Sequence, residues 1–262
     1  MKPNFIYKSL GTSFLLLFIL ACNLLTPPRP IPTPMPPSPT STAIPLSSQV
    51  TLVSQSSEET NQTPPFTIKV QTPQLTGSDD ARVAAFNQRL AALVTTEVDV
   101  WRKSFLENTL PTVTNGSLLE VSPTLISQPG DLWSFKFDFH FYSDGAAHPG
   151  TYSITLNYDL DHGKELALAD LFLPNSNYLE SIADYCKSEL SKQPFFDVPF
   201  SDGANPIVEN YRNWNITSDG LMITFDEYQV APYAAGPQVV QVPLDAIRPV
   251  VDPNGPLKII IQ

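Results

Sequence analysis

Trp133-Ser134-Phe135-Lys136-Phe137-Asp138-Phe139-His140-Phe141-Tyr142 decides the fold class of this chain. Bulky aromatic residues at 133, 135, 137, 139 and 141 alternate with Ser, Lys, Asp, His and Tyr, the period of two of a strand with one oily face. Tyr152, Ile154, Leu156, Tyr158 and Leu160 repeat that alternation. The joining stretch, residues 143–150, is long enough to let the two runs pair antiparallel. Asp161-His162-Gly163-Lys164 reads as the next turn. On the N-terminal side, Ser78-Asp79-Asp80 supplies an N-cap and first-turn acids for a long helix. Its Val83, Phe86, Leu90, Leu93, Val94, Val98, Trp101 and Phe105 recur mostly at steps of three and four, a core-facing stripe. Short strands are expected at 50–53 and 66–70. A second helix is expected over about 175–192, with Leu179, Ile182, Ala183, Cys186 and Leu190 on one face. Further strands are expected near Trp214 and Ile216, at 221–225 and at 238–242. The pattern predicts an α+β fold: an antiparallel sheet with the long N-terminal helix and the second helix packed on it. It also suggests an N-terminal α+β lobe over 49–130 and a C-terminal domain over 131–262.

The residues before this region differ in kind. Nine of the 27 prolines lie between Pro27 and Pro45, and no acid precedes Glu58. Lys2 and Lys8 lead into an apolar run, Leu10 to Ala21, far shorter than the roughly 20 residues that span a bilayer. A basic start, a short apolar middle and a small residue make residues 1–21 a secretory signal peptide. Its end, Ile19-Leu20-Ala21-Cys22, resembles the bacterial lipobox, which makes Cys22 the lipidated first residue of the mature chain. The alternative is an ordinary signal peptide with an incidental cysteine. Residues 22–48, rich in Pro, Thr and Ser, lack apolar area to repay ordering and read as a disordered tether. Extended near polyproline II, a segment of that length reaches on the order of 75 Å. The expected location is extracytoplasmic, lipid-anchored at the cell membrane and facing cell wall or periplasm.

Charge and motif spacing exclude several functions. Lys2, Lys8 and Arg29 are the only basic residues before Glu58, so the rest of the chain sets 12 basic against 26 acidic residues, a net of −14. Nucleic acid is excluded as a partner, because phosphate binding needs clustered Lys and Arg. Two cysteines, Cys22 and Cys186, make neither a disulfide scaffold nor a Cys-based zinc site. No Gly-x-Ser-x-Gly, His-Glu-x-x-His or Gly-rich phosphate loop occurs, and His140, His148 and His162 share no metal-ligand spacing. No cofactor and no metal are therefore expected. The helical spacing of Cys186 with Leu179, Ile182 and Leu190 makes it a buried structural cysteine rather than a nucleophile.

Two loops resist a purely structural reading. His148 sits among small residues before Pro149, and residues 228–237 set tyrosines among Ala, Gly and Pro. Small residues let a ligand approach closely, and Tyr233 offers contact area with a polar tip. The plainer alternative is that both loops merely close the sheet.

The same segments carry a resemblance. Tyr142-Ser143-Asp144-Gly145-Ala146-Ala147-His148-Pro149, then Gly163-Lys164-Glu165-Leu166 with Asp170-Leu171-Phe172, then Ala231-Pro232-Tyr233-Ala234-Ala235-Gly236-Pro237 follow one bacterial extracytoplasmic family. It is similar to the domain of unknown function that forms the outer part of RsiV-type, lysozyme-sensing anti-sigma factors and accompanies the catalytic domain of PdaC-type peptidoglycan deacetylases. The resemblance covers about 133–250 and implies an α+β fold. It makes Tyr142, Asp144, Gly145, His148, Pro149, Pro232, Tyr233 and Gly236 the candidate binding residues, with no catalytic residue assigned. The deacetylase's metal-binding histidines are absent, and only a signal peptide's first residues precede the apolar run, where an anti-sigma factor needs a cytoplasmic segment. What remains is a non-catalytic binding or sensing module, tethered to the membrane through a lipid anchor. The expected partner is a cationic lysozyme-like protein, which the acidic charge would steer, or peptidoglycan. The alternative is a hydrolase of peptidoglycan or envelope sugars using His148 with Asp144 or Asp226. The two loops are expected to meet at one end of the sheet.

Overall fold

Nine strands and four helices follow one another in a computed structural model that describes residues 45–108, 115–194 and 200–261. The signal peptide, Cys22 and nearly all of the tether lie outside the described residues. The strands are β1 (Thr51–Gln62), β2 (Pro65–Thr76), β3 (Ser117–Ser127), β4 (Leu132–Tyr142), β5 (Gly150–Asp159), β6 (Lys164–Glu165), β7 (Trp214–Ile216), β8 (Gly220–Phe225) and β9 (Gln238–Pro243). The helices are α1 (Ala81–Glu107), α2 (Tyr178–Leu190) and two single turns, α3 (Leu244–Ile247) and α4 (Lys258–Ile261). The α+β class read from the sequence is the one observed.

The first six strands form one sheet in chain order, and β7, β8 and β9 form a second. Pairing is antiparallel except between β2 and β3, which run parallel with Phe66 opposite Ser117. That pair departs from the fully antiparallel expectation for a topological reason: α1 intervenes as a crossover, and a crossover returns the chain in the same direction. The hairpin β1–β2 is far longer than the strands read at 50–53 and 66–70. Twelve residues pair with twelve; past Val53, β1 is polar on both faces and shows no alternation, so its length leaves no periodic mark in the sequence. The suggested lobe boundary at 130/131 falls between β3 and β4, which are hydrogen-bonded neighbours.

Two hydrophobic cores result. In the first, α1 lies on the oily face of β4. Phe86, fully buried, meets Tyr158 edge-on with centroids 4.9 Å apart and touches Trp133 and Phe135. Each such aromatic residue contributes about 1.5–3 kcal/mol by leaving water. Asp80 caps α1, accepting from the Arg82 backbone N–H at 2.8 Å. In the second core, Ile182, Ala183, Cys186 and Leu190 of α2 pack with Leu221, Ile223 and Phe225 of β8 and with Val240 and Val242 of β9. The second helix therefore serves the second sheet.

Where the three-stranded sheet meets the other face of β4 and β5, the contact is polar. Ser134, Asn157 and Asn215 are buried. Asn157 Oδ1 accepts from Ser134 Oγ at 2.6 Å and from Ile216 N at 3.1 Å, and its Nδ2 donates to Trp214 O at 2.7 Å. Asn215 Nδ2 donates to Ser134 Oγ and to Phe135 O, both at 2.9 Å. Of the polar atoms of these three side chains only Asn215 Oδ1 lacks a partner, and the directional bonds made by the others fix the register of one sheet on the other.

The end of the expected tether needs correcting. Leu46 is buried, and Leu46 N and Ser47 N donate to the Asp131 carboxylate at 3.2 and 2.6 Å. Residues 45–48 therefore belong to the folded domain. Among the described residues, no helix is long and apolar enough to cross a membrane.

Candidate functional site

Each of the two loops singled out in the sequence is carried by a different sheet. The His148 loop joins β4 to β5, and the Tyr233 loop joins β8 to β9. Gly150 begins β5 under the ring of Phe141; a Cβ there would lie 2.4 Å from Cζ, so only glycine lets the loop close so tightly. Pro232, with ψ 156°, leads into a single turn at Tyr233–Ala235, and Gly236, at φ +66°, leaves it in left-handed backbone.

The loops meet. The rings of His148 and Tyr233 stack with centroids 4.0 Å apart and 29° between planes. Tyr233 Oη donates to Pro149 O at 2.8 Å, tying one loop to the other's backbone. His148 Nδ1 lies 2.8 Å from the same carbonyl. A carbonyl only accepts, so that contact places a proton on Nδ1 and selects the tautomer in which Nε2 is the acceptor. Tyr228 adds a third ring, 5.6 Å from Tyr233. His148 and Tyr228 are exposed, and Tyr233 is half-buried.

The other candidates divide. Pro149, Pro232 and Gly236 frame the ring contact. Asp144 does not join it: the residue is buried, its Oδ2 accepts from Gly116 N at 3.0 Å and its backbone N–H donates to Ser117 Oγ at 3.0 Å. Asn108 Nδ2 donates to its carbonyl at 3.1 Å, so Asp144 pins the loop to the end of α1 and the start of β3. Asp144 and Gly145 line a cavity of about 760 Å³ with Val100, Lys103 and Glu107. Tyr142 pairs with Leu118 within the sheet.

Beside the rings, the edge of β5 is closed by side chains. β6 pairs only with Tyr158 and Asp159. Nearer the loop, Thr151 N donates to Glu227 Oε2 at 3.1 Å and Ser153 N to Asp226 Oδ1 at 2.9 Å. Carboxylate oxygens there stand where a further strand's carbonyls would be. Asp226 Oδ2 also accepts from Arg212 at 2.6 Å and from Asn213 at 3.2 Å. A groove of about 420 Å³ runs alongside, lined by Glu97, Tyr152, Arg212, Asn213 and Asp226. Tyr152 Oη donates to Glu97 Oε2 at 2.8 Å and accepts from Trp101 Nε1 at 2.9 Å. Burial chiefly, then the Glu97 carboxylate, holds this phenol above its ordinary range against the opposing pull of the Trp101 N–H, so it stays a donor.

The groups named for hydrolysis are not assembled around one point. His148 bonds Pro149, Asp144 bonds β3, and Asp226 bonds β5 and Arg212. Among the described residues, no group of three or more His, Cys, Asp or Glu could hold a metal ion. Cys186 is fully buried, and burial pushes its thiol up to about 12. Sequence reasoning missed Tyr228, Glu227 and Glu97 as site residues. Tyr228 stood inside the quoted loop; the two glutamates gave no signal, since an acid beside a strand or on a helix reads as solvated.

Comparison with known proteins places the chain near a family without assigned function. Residues 169–245 match a family described as protein of unknown function (DUF3298). The chain is 34% identical over 112 residues to the esterase Rv3036c of Mycobacterium tuberculosis, covering 42% of this chain and 48% of that protein. It is 28% identical over 110 residues to the peptidoglycan-N-acetylmuramic acid deacetylase PdaC of Bacillus subtilis, covering 41% of this chain and 24% of that one. The chain thus spans about half of the first relative and a quarter of the second. A solved DUF3298 family structure from Bacteroides fragilis superposes with a TM-score of 0.61 over 80% of this chain and 96% of that chain, at 14% identity, a likeness of fold alone.

Proposed function

We propose that this chain is a binding module of the bacterial cell envelope, held outside the membrane by a lipid on Cys22 and a Pro-rich tether. The contact surface is the joint formed by the His148 and Tyr233 loops. The observation that carries the reading is the stacking of those two rings across loops from separate sheets. Core packing does not demand that contact, since both loops lie at the surface. The PdaC-like stretch supports an envelope setting, because peptidoglycan lies outside the membrane. The RsiV-type resemblance supports sensing, with a cationic lysozyme-like protein or peptidoglycan as the partner. The test is capture of envelope components by the full chain. His148→Ala with Tyr233→Ala should abolish capture while the protein still melts cooperatively; full-strength capture by that folded double variant refutes the reading. Cys22→Ser should move the protein from membrane to soluble fractions, and identical fractionation removes the anchor.

A hydrolytic second reading draws on the groove that Glu97 and Asp226 line and on the esterase-like stretch. It requires turnover of an ester or of peptidoglycan that Glu97→Gln abolishes. Turnover unaffected by that change places the chemistry elsewhere.

A further inference from the structure

Tyr228 has φ +65°, left-handed backbone that strains a bulky side chain. Burial does not compensate, because the residue is 57% exposed. Its ring extends the His148–Tyr233 stack into solvent. Residues 143–150 and 231–237 contain no Lys, Arg or Glu, and their one acid, Asp144, is buried. Such a surface carries one carboxylate at its rim, Glu227, and is otherwise without a Coulombic handle for a charged partner. It offers an aromatic face, exposed Ala146, Ala147 and Ala234 beside it, and polar atoms at its rim. Those atoms are His148 Nε2 and Glu227, whose Oε2 accepts from Thr151 N.

We propose that Tyr228 is the contact residue of a saccharide-binding surface, its strained backbone aiming the ring at a neutral hexose or N-acetylhexosamine chain. A pyranose chair has one face of C–H groups, which packs on an aromatic ring as other apolar surface does. Its hydroxyls need partners at the periphery, which His148 Nε2 and the Glu227 carboxylate provide. The inference rests on the proposed function in using the same loops, and adds the ligand class and the residue that meets it.

The strain gives the test two readouts of opposite sign. Asn tolerates left-handed backbone better than Tyr, without glycine's extra freedom in the unfolded chain. The full chain and its Tyr228→Asn and Tyr228→Phe variants are titrated with the hexamer of N-acetylglucosamine, and each is melted. The parent should bind. Tyr228→Asn should lose at least tenfold in affinity yet melt at or above the parent temperature, while Tyr228→Phe binds within about threefold. A Tyr228→Asn variant that binds as the parent does, or one that melts clearly lower, overturns the assignment. A parent that ignores the hexamer overturns the saccharide class. If envelope capture through His148 and Tyr233 persists in that case, the binding reading stands and the partner is a protein.

Discussion

Asn157→Ala should destabilise the domain by about 2–6 kcal/mol, far more than an ordinary polar-to-alanine change. Asn157 is 2% exposed and serves three partners in the layer between the sheets. Without the amide, Trp214 O loses its donor and the Ser134 hydroxyl loses its acceptor. Ile216 N keeps Ser134 Oγ at 3.0 Å and is not stranded. One buried carbonyl without its donor and one buried hydroxyl proton without its acceptor cost about 1–3 kcal/mol each, against a total stability of about 5–15 kcal/mol. Urea unfolding of the full chain measures the loss. Thr96→Ala is the control, since that hydroxyl bonds its own helix at Ala92 O, and it should stay within about 0.5 kcal/mol. A loss below about 1 kcal/mol for Asn157→Ala would show that the layer is wet and adaptable, and would refute the claim that it fixes sheet on sheet. Because His148 and Tyr233 ride on different sheets, the same variant, held folded by cold, should also capture envelope components less well.

Leu46→Ala should cost about 2–4 kcal/mol as a buried leucine truncation does; a chain starting at residue 45 should melt with the parent and one starting at residue 50 lower, and equal melting of all would free residues 45–49 from the domain. Cys186, its thiol raised to about 12 by burial, should resist thiol reagents at pH 8 until the protein unfolds, and fast labelling of the native state would contradict its placement. Asp80 is held down to about 2 by the Arg82 guanidinium and then by the Arg82 backbone N–H. Its stabilising contribution is therefore complete above about pH 4 and lost as pH falls through 2. The stability gap between parent and Asp80→Asn should shrink over that window, and a gap equal at pH 5 and pH 2 counts against the linkage.

The strongly periodic elements were legible because a single burial face wrote them. β4, β5 and α1 each present one oily side to one core, so alternation and the three-four spacing survive in the sequence. β1 was legible only at its start, since it buries neither face and no alternation marks its length. Ser134 and Asn157 read as the wet side of a half-exposed sheet, and they are buried because a second sheet lies over them. Local sequence does not encode that covering. Asp144 misled for a related reason: a loop aspartate looks available, whereas its oxygens serve Gly116 and Asn108. The meeting of the two loops was anticipated from the resemblance and from their shared composition, while the stacking partner Tyr228 depended on a backbone angle no motif reports.

The β8–β9 connection joins two tasks that explain each other. A sheet edge left open invites pairing with any extended chain, and Glu227 and Asp226 close that of β5 by filling the acceptor positions at Thr151 and Ser153. Closing the edge with successive residues draws the start of the connection tight against β5, and the next residue, Tyr228, takes left-handed backbone. The chain leaves β5 there with an aromatic ring turned out, and it returns at Tyr233 to stack on His148 and bond Pro149. Asp226, named for hydrolysis from the sequence, is thus occupied with Glu227 as an edge closure, and the rings of Tyr228 and His148 beside them are exposed. In the proposed binding role, rings already positioned by these contacts would lose less freedom on meeting a partner, which favours an aromatic contact. The bonds that seal the sheet thus also fix where the chain turns these rings outward.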